Sequence, residues 1–395
     1  MITKELIEKL FSAASIQRWN DHPRPIELTE LDKQAHKMLI AYILAKLEED
    51  NGQKINWNAL IEGAIFEFYH RIVLTDLKPR VFHKLMQEKE KELNAYVANH
   101  LQKDLESLSK PLYERFCKYF SDKTIWTKEK AILKAAHYLA TRWEFNIIYP
   151  IAKHIYGMKE RKKEIENEIK KHKHLPSVKQ FEKSKKLNAF IDLCGQLRFQ
   201  LRWAQSPRIP KTNVLGHMLM VAILAYFCSI ENGYKSSVRI KNNFLGGLLH
   251  DLPEVLTRDI INPIKRSVEG LDEIIKNFEN TLVKETLLPM LPKTWHKEIN
   301  YLMQNEFENK TMQNGKIVLQ SNISTQKDTD TYSCVDGQLI EACDKFSAYL
   351  EAAQSKKFGI TSNELANGLI TTYENFAGKT YGKVKFKTLF DYFKK

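Results

Sequence analysis

Two histidines and three acidic residues in the C-terminal half have the types and spacing to hold a divalent cation and activate water. His217 stands at the start of the apolar run GHMLMVAILAYFCSI (216–230), and His250 and Asp251 close the apolar stretch NNFLGGLLH-D. Asp344 lies in LIEACDKFSAYLEA (339–352), beside the apolar face of Leu339, Ile340, Cys343, Phe346 and Leu350. A His or Asp at the end of a buried helix is costly unless paired or metal-bound. Two imidazoles and two carboxylates make an N/O set suited to Mn, Co, Zn, Fe or Mg. Four protein ligands would leave coordination positions for water, as a catalytic ion needs. Glu254 follows His250 by four residues, one helical turn on the same face, where a carboxylate can act as general acid or base. Arg202 and Trp203 precede the first ligand, and Asp259 follows the last of this cluster. A guanidinium fork suits phosphate, and an indole suits a base or sugar face.

Each residue alone has a plainer reading. His217 on an apolar helix reads as a satisfied core histidine. Asp251 reads as a cap for a helix with Pro253 and Glu254 in its first turn, and Asp344 as a half-buried ion-pair partner. The order His…His-Asp…Asp on successive apolar helices favours metal over the three coincidences.

The elements that must position these residues read as helices. Gly (15) and Pro (12) are scarce. In AHKMLIAYILAKLEE (35–49), Met38, Leu39, Ile43, Leu44 and Leu47 recur at helical spacing. The single strand candidate is KIVLQSNIS (316–324). The expected fold class is all-α, a helical bundle. Residues 159–186 carry 11 Lys/Arg and 5 Glu and read as a solvated helix breaking at Pro176, a connector between two halves. Those halves repeat each other. RWNDHPR (18–24) and RWAQSPR (202–208) share a frame, each followed by a helix with an early histidine, His36 or His217. A second histidine, His70 or His250, follows, and then VLT and an Asp. A tandem duplication is the reading, with segments 1–157, 158–187 and 188–395.

At 395 residues the chain has room for two or three domains. Its 43% hydrophobic content excludes wholesale disorder. A net charge of +13 points to anionic partners without choosing among them. Nucleic acid is a possible but not favoured partner, because aromatics do not interleave with the basic run. Five scattered cysteines without a CxxC pair argue against a disulfide framework or a thiolate zinc site. The N-terminus lacks a signal-peptide core, no charge-free apolar span of about 18 residues is evident, and a cytoplasmic setting without a membrane is expected.

Arg202-Trp203, Thr212-Asn213-Val214, His217, HDxxEVLTxD (250–259), Pro263 to Lys265 and Asp344 together resemble the HD-domain metal-dependent phosphohydrolases, most closely the bacterial HD-domain 5′-deoxynucleotidases. The resemblance covers about 190–355. It implies an all-helical HD fold and one divalent ion on His217, His250, Asp251 and Asp344. It also implies catalysis by Glu254 with Asp251, nucleotide contacts from Arg202, Trp203 and Asp259, and release of phosphate from a (deoxy)nucleoside 5′-monophosphate. Triphosphohydrolase and phosphodiesterase activities, with Lys265 and Arg266 as candidate extra cations, remain open alternatives. So does a non-catalytic nucleotide-sensing or nucleic-acid-binding role. A long insertion at about 305–336 is expected to cover the pocket. The N-terminal copy reads as degenerate: Arg71 replaces the Asp251 carboxylate and His137 stands for Asp344. His36, His70 and His137 remain as a possible metal trio, and Arg18 and Trp19 as a possible regulatory nucleotide clamp. The two copies could pair as an intramolecular pseudo-dimer.

Overall fold

The computed structural model describes the chain except residues 76, 78, 259–269 and 395. The expected all-α architecture is found: the chain is 69% helical, and it divides into two compact units, Met1–Gln180 and Phe181–Lys395.

The first unit contains α1 (Lys4–Ser12), α2 (Glu30–Asp50), α3 (Trp57–Val73), α4 (Pro79–Leu108), α5 (Lys110–Ser121), α6 (Thr127–Ala152) and α7 (Met158–Lys171). The helix α8 (Pro176–Lys183) contains the division. Thr29 caps α2 by accepting from the Asp32 N–H, an arrangement worth about 1 kcal/mol. Helix α2 packs on α6, as does α3. The charged run 159–186 supplies α7 and α8. Met158, Ile165 and Ile169 of α7 are buried, and α7 packs on α6. The expected break is realised as a turn over 172–175, with Pro176 opening the next helix, where its missing N–H costs nothing.

The second unit begins with α9 (Lys185–Gln196) and centres on α10 (Val214–Asn232), α11 (Ser237–Leu249) and the short α12 (Glu254–Thr257). Further on come α13 (Leu271–Leu282) and α14 (His296–Met303). Helix α10 is long and apolar enough to cross a membrane by composition, contrary to the expectation that no such span exists, but 89% of that stretch is buried in the protein. The insertion folds as strands β1 (Asn309–Gln313) and β2 (Lys316–Leu319) joined by Asn314-Gly315. Both turn residues have positive φ, 48° and 74°, the conformation a two-residue hairpin turn requires. The strand expected at 316–324 thus spans only β2. Strand β1 also pairs with β3 (Val335–Asp336), which leads directly into α15 (Gly337–Lys357). Helix α16 (Asn363–Phe376), the hairpin β4 (Thr380–Tyr381) and β5 (Val384–Lys385), and α17 (Phe386–Asp391) complete the unit.

Two glycines set the distance that matters most. Helix α11 lies so close to α10 that a Cβ on Gly247 would sit 2.8 Å from Ala222 Cα, and one on Gly246 would sit 2.7 Å from Ile340 Cδ1. The GlyGly pair in NNFLGGLLH seats the end of α11 against the middle of α10 through Gly247 and against α15 through Gly246.

Candidate active site

His217 occupies the first turn of α10 and is fully buried. Its Nε2 lies 2.9 Å from Asp344 Oδ1 and its Nδ1 lies 3.1 Å from Ser347 Oγ. Asp344 and Ser347 are three residues apart on α15, so they share the face that looks at His217. His250 sits at the end of α11, where the ring Nδ1 donates to the Gly247 carbonyl at 2.8 Å. That bond places the proton on Nδ1 and leaves Nε2 as the lone-pair atom of the neutral ring. Nε2 is buried without a hydrogen-bond partner. It lies 3.1 Å from Asp251 Oδ2, off hydrogen-bond direction, and 4.0 Å from Asp344 Oδ1. Asp251 Oδ2 is also 3.7 Å from His217 Nε2.

These separations fit a metal. Donor atoms around one ion at about 2.1 Å stand roughly 3 to 4 Å from one another, and each of the two histidine Nε2 atoms here stands 2.9 to 4.0 Å from each of the two carboxylate oxygens. Electrostatics point the same way. Burial alone would lower the His250 pKa, yet Asp251 and then Asp344 raise it. Burial would raise Asp344, yet Lys345 and His217 hold it well below the usual carboxylate range. A field that stabilises ionised acids and favours positive charge at His250 also favours a divalent cation. His217, His250, Asp251 and Asp344 could hold one, with Ser347 and the Gly247 carbonyl orienting the imidazoles.

Glu254 does not continue α11. The helix ends at Leu249, residues 250–253 form a turn, and Glu254 opens α12. The same-face expectation for Glu254 is therefore corrected. The turn, closed by the Glu254 N–H donating to the Asp251 carbonyl at 3.1 Å, brings both acids to one cavity instead. Asp251 does not cap α12: its neighbouring cap residue is Pro253, with no side-chain cap bond. The cavity holds about 600 Å³ and is lined by Arg202, Trp203, His250, Asp251, Glu254 and Asp344, among others. Asp259, Lys265 and Arg266, and the stretch Pro263 to Lys265, lie outside the described residues.

Arg202 and Trp203 are held by a residue not singled out in the sequence. Glu351 Oε2 accepts from Arg202 Nε at 3.2 Å and from the Trp203 indole N–H at 2.9 Å, while Oε1 accepts from Thr212 Oγ1 at 2.6 Å. Burial would raise the Glu351 pKa, but Arg202 and Arg208 bring it down to about 2. Trp203 has φ 55°, a conformation costly for a bulky residue, and its ring lies so close to Gly368 that a Cβ there would meet it at 2.7 Å. Glu351 lies seven residues after Asp344, two turns along the same face, and this spacing is the signal that could have found it. Lys345 was also missed: its Nζ lies 2.8 Å from Asp344 Oδ2 and 5.6 Å from the centre of the Phe307 ring. Phe307, at the edge of the insertion, lines the cavity, so the insertion reaches the pocket at its base.

The N-terminal unit repeats the clamp but not the ligands. Gln17 bridges Thr29 as Leu201 bridges Asn213, and Trp19 has φ 56°, matching Trp203. Glu144 Oε2 accepts from Arg18 Nε and from the Trp19 indole, both at 2.9 Å, as Glu351 does. Four residues beyond Thr29 and Asn213 stand Lys33 and His217. The counterpart of His217 is thus Lys33, and the sequence pairing with His36 is corrected. Asn56 and Ser236 cap α3 and α11 alike, which matches His70 and Arg71 to His250 and Asp251. His137 matches Asp344, and its Nδ1 takes Lys33 Nζ at 2.5 Å. The trio of His36, His70 and His137 does not converge: His36 packs on Trp143, and His70 Nε2 meets Asn94 Oδ1 at 3.0 Å.

Comparison with known proteins places both halves in one superfamily. A family described as an HD domain matches residues 194–372, and one described as 5′-deoxynucleotidase YfbR-like matches residues 6–186. The deoxynucleotidase description thus falls on the N-terminal copy, whereas the sequence motifs carried it in the C-terminal one. A 5′-deoxynucleotidase of Pasteurella multocida is 25% identical over 178 residues, 42% of this chain and 74% of that protein. One of Vibrio atlanticus is 24% identical over 130 residues, 32% of this chain and 66% of that protein. One of Photobacterium profundum is 29% identical over 111 residues, 28% of this chain and 57% of that protein. With two matching HD-type halves and the His, His-Asp, Asp constellation assembled in the second, the chain belongs to the HD-domain phosphohydrolases and is similar to their 5′-deoxynucleotidases.

Proposed function

We propose that the C-terminal copy, residues 188–395, releases inorganic phosphate from deoxynucleoside 5′-monophosphates in a cytoplasmic setting. The span 1–157 is a non-hydrolytic copy, and the charged segment 158–187 lies outside the catalytic one. The observation that carries this reading is convergence. Two imidazoles and two carboxylates meet at metal-ligand spacing on the same cavity as Glu254, Arg202 and Trp203. The names of the three relatives supply the substrate class.

His217, His250, Asp251 and Asp344 would hold one divalent ion, which supplies Lewis acidity and lowers the pKa of water. Arg202 and Lys345 present cations on the cavity wall where a phosphate carries its charge. Trp203, braced by Glu351 and Gly368, offers an indole face to the nucleoside. Glu254, 9% exposed, holds a proton at its carboxylate or gives it to the leaving 5′-oxygen. Asp259 is proposed as a further nucleoside contact. Burial of the site excludes bulk water and strengthens each of these charge interactions.

The test is a phosphate-release screen of deoxy- and ribonucleoside mono-, di- and triphosphates with Mn, Co, Mg, Zn and Fe(II). Turnover should be greatest on deoxynucleoside monophosphates and vanish on chelation. Glu254→Gln should lower kcat by at least about 100-fold, the ordinary reach of a general acid or base, while ion content is kept. Preference for triphosphates would replace this reading with the triphosphohydrolase one. No metal-dependent release from any nucleotide would remove it.

A further inference from the structure

We propose that the cavity of the N-terminal unit is a second nucleotide site, one that holds a nucleoside 5′-phosphate without a divalent ion and without hydrolysing it. The cavity holds about 760 Å³, more than the 600 Å³ of the candidate active site, and falls in the range of small-molecule sites. The comparison of clamps rests on the catalytic reading of the C-terminal unit.

The clamp and the ligands have diverged separately. Arg18, Trp19 and Glu144 keep the distances of Arg202, Trp203 and Glu351 to within 0.3 Å. A left-handed conformation is costly for a bulky residue, yet the tryptophan keeps it in both units. At the ion-binding positions, His217 has become Lys33 and Asp251 has become Arg71, so two cations stand where one ligand was neutral and the other negative. His137, in place of Asp344, lines the cavity and bonds to Lys33. Burial, then Lys33, Lys37, Arg18 and Arg71, keep the His137 imidazole neutral. No position matching Glu254 carries a carboxylate beside this cavity, because the N-terminal copy is two residues shorter before its VLT. Asp21, Glu30, Glu67, Glu164 and Glu168 also line the cavity, so the exchange of ligand for cation acts locally: at the ion-binding positions themselves Arg71 and His137 replace the two carboxylates that would draw a divalent cation.

The acids around the cavity are engaged. Glu30 takes Arg18 at 2.8 Å and Arg71 at 3.7 Å. Glu67 takes Lys37 and the Tyr119 hydroxyl. Lys33, fully buried, has a neutral imidazole as its hydrogen-bond partner, and among the described residues no carboxylate forms an ion pair with it. Burial and then Arg18 push the Lys33 pKa well below its usual value, against the pull of Glu30 and Glu144. A phosphate beside His137 and Arg71 would favour its charged form. Aromatic rings line the same cavity, Trp19, Phe82, Phe120 and Tyr138, and offer faces on which a base can stack.

The test uses the full chain carrying Asp251→Asn with Trp203→Ala, which disables the C-terminal site. Equilibrium dialysis against dTMP, dAMP and the other common nucleoside 5′-monophosphates is run in EDTA. One nucleotide should bind per chain. Adding Arg71→Glu or Trp19→Ala should weaken it at least tenfold, and Arg71→Lys should restore most of the affinity that Arg71→Glu loses. Circular dichroism confirms that each variant folds, and the Arg71→Lys arm decides the result if Trp19→Ala does not. No binding by any monophosphate, binding indifferent to Arg71→Glu, or binding that requires a divalent ion would each overturn the proposal. None of these outcomes bears on phosphate release by the wild-type chain, which separately tests the catalytic reading.

Discussion

The residue that best shows how the site is built is Glu351. One buried carboxylate accepts bonds from Arg202, Trp203 and Thr212, and so ties Arg202 and Trp203 to the helix that carries Asp344. Hydrogen bonds to a charged group contribute about 1.5–3 kcal/mol, and every 1.4 kcal/mol is tenfold in affinity. Glu351→Gln should therefore raise KM at least tenfold while ion content stays at wild type, as steady-state kinetics and metal analysis would show; unchanged KM would reduce Glu351 to a packing residue. In the other unit, Glu30 yields a pH prediction. Burial would raise its pKa, but Arg18, Lys33 and Arg71 lower it from 4.5 to about 2. A carboxyl depressed in the folded state stabilises above its unfolded pKa, and that stability is lost as pH falls through the folded value. The shift corresponds to roughly 3 kcal/mol. Thermal melts of wild type and Glu30→Gln should differ most above pH 5 and converge between pH 4.5 and 2. The convergence of His217, His250, Asp251 and Asp344 was legible because His and Asp on apolar runs are expensive without a purpose. Glu351 was not, because a glutamate late on a long helix is usually a solvated one.

At the scale of elements, the site depends on how closely α11 approaches its neighbours. Gly247 lets α11 meet the α10 backbone, and Gly247→Ala would put a methyl 2.8 Å from Ala222 Cα. Backbone cannot rotate aside as a side chain can, so the helices must separate, at about 1–3 kcal/mol. Activity should fall more than stability, since His217 and His250 would move apart with the helices; a variant that melts lower but keeps wild-type kcat would show that the approach is structural only. Asp336, at the end of β3, joins α11 to the start of α15. It accepts from Arg239 at 2.8 and 2.6 Å and from Asn243 at 2.7 Å, and its N–H donates to Asn243 Oδ1 at 2.9 Å. Asp336→Ala would leave a buried guanidinium without its main counter-charge, a loss of about 3–5 kcal/mol, readable by urea denaturation. Helical periodicity showed that these elements exist. It did not show that α11 stops at Leu249, because His-Asp-Leu-Pro-Glu contains residues that serve a helix start as readily as a helix continuation. The Asn314-Gly315 hairpin was open to reading from turn chemistry, but the polar strands around it lack the alternation that marks a buried sheet.

At the scale of the whole chain, duplication explains both what repeats and what has changed. The repeat was visible in RWxxxPR, yet its register slipped by three residues in the following helix: a histidine, the conspicuous residue, drew the alignment to His36, while the backbone bridges and left-handed tryptophans align Lys33. The basic run at 159–186 also reads differently in place. Arg161, Glu164 and Glu168 of α7 line the N-terminal cavity, so part of the charge borders a binding site. The two units should then respond differently to loss of metal. In the second unit, an ion held by His217, His250, Asp251 and Asp344, as proposed, would tie α10, the end of α11 and α15 together. Removing it leaves carboxylates facing one another and frees those helix ends to open. In the first unit, Lys33 bonded to His137 and Arg18 bonded to Glu30 and Glu144 hold the equivalent positions without an ion, so chelation should change nothing there. Hydrogen exchange with and without EDTA should show faster exchange at 214–220, 247–257 and 340–351. Rates at 29–37, 67–73 and 133–145 should stay unchanged. Equal loosening of the matching segments in both units would mean that the N-terminal copy also depends on a metal ion, and that Lys33 does not replace it.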